Sequence, residues 1–351
     1  MRADRRLGRT RRVPGTCAYA TGGTSNGEEW QGEPGELANA LSGYTQETCV
    51  TYNMLKLTRH AFTWSSQPRY ADYYERAYFN GILPTQHPAT GEKMYYTPLA
   101  DGFWKLFGTP EFGFWCCQGT GVENFSKLGD SVYFHDDAGI YVNLFVPSEV
   151  NWEAKGIRLR QETHFPESDT TTLTIAASKL TRAAVRVRIP YWAASGGSAR
   201  LNGRLLDAFA GPSSWLVVDR VWKSGDRLAV TMPMSLHMHP MPDDHRLQAV
   251  MYGPLVLVGK MGTAGLTAAN LRALPTAPRT VPEYQDGGEH RAAPIRAPSD
   301  DPASWLAPVP GAPLTFHTVG QSSEMIFVPL YQLFDERYAV YFRIERGGAP
   351  G

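Results

Sequence analysis

The hydrophobic period changes once along this chain, and that change constrains the fold more than any other feature. Before about residue 128 the apolar residues recur at helical spacing. Val50, Met54, Leu57, Ala61 and Trp64 follow one another three or four positions apart, which predicts a helix from about Glu47 to Trp64 with Thr45 as N-cap. Leu55 and Phe62 make that helix apolar on a second face. Pro68 suits the first turn of a second helix, running to about Leu83 with Tyr70, Tyr74, Ala77 and Tyr78 on one face. A short third helix uses Val122, Phe125 and Leu128.

From Ile140 the period is two. Ile140 to Val146, Gly156 to Thr163, Thr171 to Ala176 and Ala184 to Ile189 read as strands. So do Trp215 to Asp219, Arg227 to Met232 and Ala249 to Val258, and Asn202-Gly203 is a hairpin turn signal. Short strands with turns between them imply an antiparallel sandwich. The fold class is therefore α+β and multidomain. Residues 1–20 read as a disordered or misassigned start, 21–138 as helical, and 139–261 as a β-sandwich. Residues 262–313, rich in Pro, Ala and Gly, read as a linker or loop, and 314–351 as terminal strands of a sandwich.

The 34 basic and 34 acidic residues balance, so charge gives no reason to expect nucleic acid or an anionic membrane as partner. No apolar run approaches the roughly 20 residues of a membrane span. Six arginines lie between Met1 and Arg12 with no apolar stretch after them, which is not a secretory signal and points weakly to the cytoplasm. Oligomeric state is not legible.

Two of the four cysteines, Cys116 and Cys117, are adjacent in Phe114-Trp115-Cys116-Cys117-Gln118-Gly119-Thr120-Gly121. Neighbouring α-carbons are about 3.8 Å apart, shorter than the roughly 4.4–6.8 Å of a relaxed disulfide. The pair is either two small buried apolar residues or two thiols turned toward one soft cation. Glu47 and Cys49 add a carboxylate and a third thiol. At an irregular helix start both can reach one point, so Glu47, Cys49, Cys116 and Cys117 make a candidate tetrahedral zinc set. Glu75, among tyrosines, is either a structural tether or a substrate contact, because a buried carboxylate must be hydrogen-bonded. Tyr95 is either a sugar contact or a core residue. Cys17 has no partner nearby in sequence.

Several long motifs are similar to those of the β-L-arabinofuranosidase families of glycoside hydrolases. They are Gly22-Gly23-Thr24-Ser25-Asn26-Gly27-Glu28-Glu29-Trp30, Gln46 to Arg59, Tyr70 to Ala77 and Phe114 to Asn124. Tyr141 to Ser148 and Met251 to Leu257 continue the resemblance, and the tail around Pro329 to Phe342 is similar too. It implies a partial (α/α)6 barrel followed by antiparallel β-sandwich domains. It also implies a retaining hydrolase acting on an oligosaccharide or glycan that contains L-arabinofuranose. Cys116 would be the nucleophile and Glu28 the acid/base. Glu47, Cys49, Cys116 and Cys117 would hold zinc, and Tyr95 and Glu75 would meet the sugar.

The family's helical region upstream of the first motif has no counterpart here. The expectation is an incomplete catalytic domain that leaves one apolar face of the Glu47–Trp64 helix exposed. Two other readings are open: a non-catalytic carbohydrate-binding remnant, and a glycosidase with a structural metal whose nucleophile is a carboxylate such as Glu47.

Overall fold

A computed structural model describes residues 17–111, 113–272, 284 and 290–346. The expected disordered start lies outside them up to residue 16, as does most of 273–289. Among the described residues there are three α-helices: α1 (Thr48–Ser65), α2 (Pro68–Ala77) and α3 (Cys116–Ser126). The first begins and ends one residue later than its spacing predicts. Thr45 does not cap it. Its hydroxyl accepts from Leu99 N at 2.8 Å and faces the carbonyls of Ser42 and Thr97. Glu47 stands directly before the first turn, where a negative charge is favourable. The second helix stops at Ala77 and widens into a π turn over Tyr78–Ile82, then a 3-10 turn over Leu83–Thr85. Helix α1 buries Met54, Leu55, Ala61 and Phe62, while Leu57 is 39% and Trp64 61% exposed. Neither of its two apolar faces is open as a whole, since Met54 and Ala61 of the first and Leu55 and Phe62 of the second are buried; only Leu57 and Trp64 stand out. None of the helices is long and apolar enough to cross a membrane.

The chain divides into two compact units. One contains residues 59–72 and 127–235. Its strands are β1 (Tyr133–His135), β2 (Gly139–Val142), β3 (Ser148–Trp152), β4 (Ile157–Thr163), β5 (Thr170–Ala177) and β6 (Thr181–Ile189). Then come β7 (Ser198–Leu201), β8 (Arg204–Leu205), β9 (Ser214–Trp222) and β10 (Arg227–Thr231). They form two sheets, β1-β2-β6-β9 and β3-β4-β5-β10-β7-β8. Val142, Val185, Val187 and Leu216 of the first meet Leu159, Leu173, Leu228 and Val230 of the second in one core, which makes a sandwich. It is not wholly antiparallel, since β2 runs parallel to β6. The turn between β7 and β8 is Asn202-Gly203, both at positive φ, as two-residue hairpins require. Inside this unit Asp72 and the fully buried Arg188 form an ion pair at 2.7 Å, and Asp72 also accepts from Ser213 Oγ at 2.5 Å.

The other unit holds the described residues of 17–58, 73–126 and 236–346. Its strands are β11 (Leu236–Pro240), β12 (Leu247–Tyr252), β13 (Leu255–Lys260), β14 (Ile295–Ala297), β15 (Leu306–Pro308), β16 (Phe316–Thr318), β17 (Ile326–Pro329), β18 (Tyr338–Ala339) and β19 (Tyr341–Arg346). The run Ala249 to Val258 is a hairpin rather than one strand. It turns at Gly253-Pro254, where Gly253 takes φ 53° and Pro254 has no N–H to give the ladder. Its apolar residues are continuous because both faces are covered. Ala249, Met251 and Val256 pack with Tyr19, Leu37 and Leu99, whereas Val250 and Leu257 pack with Trp305 and Phe327. The stretch 262–313 is not only a linker, since β14 and β15 lie in it and β14 pairs in parallel with β19.

Candidate active site

The site is assembled from four places in the second-described unit: the loop at Glu28, the start of α1, the segment at Tyr95, and the start of α3. The loop is a tight turn in which Asn26 and Glu29 exchange backbone hydrogen bonds. Gly27 and Glu28 between them have φ of 59° and 70°, so this is a two-residue turn of the primed type. Glutamate in the left-handed region costs roughly 1–2 kcal/mol, and such strain gathers at functional sites. Ser25 and Gln46 are also left-handed, at φ 78° and 53°. They are joined, since Gln46 N donates to Ser25 O at 3.0 Å and Glu47 N to Ser25 Oγ at 3.3 Å. Gly23 allows this approach, because a Cβ there would meet Gln46 Cγ at 2.1 Å. Glu28 is thus strained itself, and the strained Ser25 and Gln46 stand beside Glu47.

Tyr95 links the loop to α3. Its hydroxyl donates to Glu28 Oε1 and lies 3.5 Å from Cys116 Sγ. Glu28 and Cys116 are therefore within two hydrogen-bond lengths of each other. Tyr95 itself is 3% exposed, and its ring lies against Tyr96 and edge-on to Trp115. Trp115 can fold back because residue 113 is glycine; a Cβ there would meet the indole at 2.3 Å. Burial pushes the Tyr95 hydroxyl's pKa up, and its bonds to Cys116 and Glu28 add to that, so it remains a donor.

The thiols and Glu47 form the second half of the site. Glu47, Cys49, Cys116 and Cys117 each offer one ligand atom, and these atoms all lie within 4.8 Å of one another. Cys117 Sγ donates to Cys49 Sγ at 3.2 Å and to Glu47 Oε1 at 3.5 Å. Thr120 Oγ1 is 3.3 Å from Cys49 Sγ. Glu47 and Cys117 are buried, Cys49 is half-buried and Cys116 is exposed. Burial, and then the Cys49 sulfur, lift the Glu47 carboxyl to about 7. The bond from Cys117 draws the Cys49 thiol down to about 6, while Cys117 is pushed up by that same bond and by burial. Burial also raises Cys116. One carboxylate oxygen and three sulfurs converging on one point, one of them already favouring thiolate, is a donor set that fits zinc.

Of the sequence candidates, Glu28, Glu47, Cys49, Tyr95, Cys116 and Cys117 come together. Glu75 is buried on α2, at 1% exposed. Tyr95 touches the two catalytic candidates themselves. No local pattern shows this, because the contacts close loops of 67 and 21 residues. Cys17 lies apart, lining a pocket of about 140 Å³ with Tyr19, Trp30, Gln31 and Leu37.

The described residues thus make a helical part followed by β domains, with this carboxylate–thiol cluster at two helix starts. Residues 11–130 match the family model for the β-L-arabinofuranosidase family 127 catalytic domain. Residues 139–234 match that family's middle domain, and 237–344 match a domain of unknown function. The chain belongs to the β-L-arabinofuranosidase family 127 of glycoside hydrolases. The non-reducing end β-L-arabinofuranosidase of Bifidobacterium longum subsp. longum is 23% identical over 237 residues, covering 60% of this chain and 34% of that protein. A solved glycoside hydrolase shares the fold at a TM-score of 0.72 and 18% identity, over 96% of this chain and 61% of its own. A family 127 β-L-arabinofuranosidase from Geobacillus stearothermophilus T6 does so at 0.70 and 19%, over 95% and 55%. The chain thus spans about a third of the curated relative's length and little more than half of the solved relatives'.

Proposed function

We propose that this chain carries the site of a retaining glycoside hydrolase that releases L-arabinofuranose from β-L-arabinofuranosides in an oligosaccharide or glycan. The observation that supports it most is the Tyr95 hydroxyl, bonded to Glu28 and close to Cys116. It holds one exposed carboxylate and one exposed thiol within reach of a single atom between them. Glu47, Cys49, Cys116 and Cys117 would hold zinc. Bound there, zinc supplies a Lewis acid that keeps the thiols deprotonated and disperses charge on sulfur.

The residues then divide the work. Cys116, the exposed member of the cluster, forms a bond from sulfur to the anomeric carbon while the bond from that carbon to the leaving oxygen breaks. Glu28 gives its proton to the leaving oxygen. In the second half Glu28 takes a proton from water, the water oxygen bonds the anomeric carbon, and the carbon–sulfur bond breaks. Two displacements retain the configuration. Tyr95 orients Glu28 in both. The alternative of Glu47 as nucleophile has less support, because Glu47 is 7% exposed and turned to Cys117. The name of the Bifidobacterium relative supports the choice of sugar.

The test is hydrolysis of an aryl β-L-arabinofuranoside, with the anomer of the first-formed sugar read by NMR and zinc measured per chain. Retained configuration, one zinc and loss of turnover in Cys116→Ala are expected. Inverted product, or turnover kept by Cys116→Ala, would overturn the reading. Sugar binding with no turnover in the wild-type chain would favour the carbohydrate-binding remnant.

A further inference from the structure

We infer that Cys49 and Cys117 are an oxidation site: hydrogen peroxide converts them to a disulfide that dismantles the metal set and leaves Cys116 a free thiol. The metal half of this inference depends on the zinc reading above; the cross-link does not.

The geometry selects the pair. The two sulfurs are 3.2 Å apart, with Cys117 donating to Cys49. A disulfide needs about 2.05 Å, so the sulfurs must close by about 1 Å. The partners lie in the first turns of α1 and α3, 68 residues apart in sequence. Adjacent Cys116 and Cys117 are a poor pair, since neighbouring α-carbons are about 3.8 Å apart. Cys116 is also turned to the Tyr95 hydroxyl. A small oxidant has a way in, because Cys116 is exposed and Cys49 only half-buried.

The chemistry balances. The Cys49 sulfur attacks one peroxide oxygen, the O–O bond breaks, and Cys49 becomes a sulfenic acid as the first water leaves. The Cys117 sulfur then attacks the Cys49 sulfur, the S–O bond breaks, and hydroxide departs with the thiol proton as the second water. Glu47 Oε1, 3.5 Å from Cys117 Sγ, is placed to receive that proton on its way. Two thiols lose two electrons and two protons, and the peroxide gains them. Of the four donors, Glu47 and Cys116 remain, too few for a closed tetrahedral site. Oxidation would therefore switch the site off without touching the exposed thiol, and reduction would restore it.

The test uses the whole chain, stripped with a chelator, treated with one equivalent of hydrogen peroxide, alkylated and mapped by mass spectrometry. The expected result is loss of two hydrogens, a Cys49–Cys117 cross-linked peptide pair, and alkylated Cys116 and Cys17. Dithiothreitol should reverse it. Cys17→Ser should cross-link as the wild type does, and Cys49→Ser should not. Zinc taken up per chain should fall to nil on oxidation and return on reduction. A map showing Cys49–Cys116, or sulfinic acid at Cys116 with no cross-link, overturns the inference. If the reduced chain takes up no zinc, the metal reading fails, and the cross-link stands or falls on the map alone.

Discussion

The hydroxyl of Tyr95 hydrogen-bonds the carboxylate of Glu28, which precedes it by 67 residues. Glu28 lies in an exposed turn, and this bond holds its carboxylate on the side of Cys116. A donor kept protonated by burial fixes an acceptor whose own backbone is strained.

Removing that donor should weaken catalysis more than binding. Tyr95→Phe keeps the packing against Tyr96 and Trp115 and deletes only the hydroxyl. A hydrogen bond to a charged group contributes about 1.5–3 kcal/mol, which corresponds to roughly 10–100-fold in kcat. Steady-state kinetics on an aryl β-L-arabinofuranoside should show that fall with KM little changed. An unchanged kcat would remove Tyr95 from the account.

The backbone at Glu28 makes a separate prediction. Glu28→Ala and Glu28→Gly both remove the carboxylate and should both abolish turnover of a poor leaving group. They should differ in stability. Alanine keeps a side chain at φ 70°, and glycine does not, so the glycine variant should be more stable by about 1 kcal/mol. Elsewhere that order is reversed. Denaturant midpoints compare the two directly, and an alanine variant at least as stable as the glycine one would show that the turn is not strained.

The sequence told where helices and strands lie better than how they end. The α1 pattern was legible because five apolar residues repeat at helical spacing, and Asn202-Gly203 announced its turn through residues that tolerate positive φ. The end of α2 was not legible. Tyr78 to Ile82 keeps helical spacing while the backbone widens, and Gly81 passes so close to Thr51 that a Cβ would sit 2.8 Å from Cγ2. Strand β3 was missed because its residues on the open face, Glu149 and Asn151, are poor strand formers. In the site, cysteines stood out by rarity. Glu28 stood out only through its motif, and the left-handed backbone of Glu28 and Gln46 was not legible, because neither is a residue that normally marks such backbone.

The state of Glu47 links the metal to pH. In the metal-free chain its carboxyl titrates at about 7, above the ordinary value near 4.3. The folded chain therefore keeps a proton that the unfolded chain releases, and this contribution to stability is lost as pH rises through 7. Zinc needs the carboxylate and thiolates, so its stabilisation should grow over the same range. The Tm difference between zinc-loaded and chelator-treated chain should widen from about pH 5 to pH 8. A difference that is flat or shrinks with pH would separate Glu47 from the metal.

The central claim is that the Cys116 sulfur, and no carboxylate, becomes bonded to the sugar. In Glu28→Ala an activated aryl β-L-arabinofuranoside can still lose its leaving group unaided, while the second step lacks its base, so the sugar-bearing enzyme accumulates. Mass spectrometry of that variant after brief incubation should find one pentose added to the peptide carrying Cys116. A pentose on Glu47, or release of the aryl group with no adduct on the chain, would contradict the account.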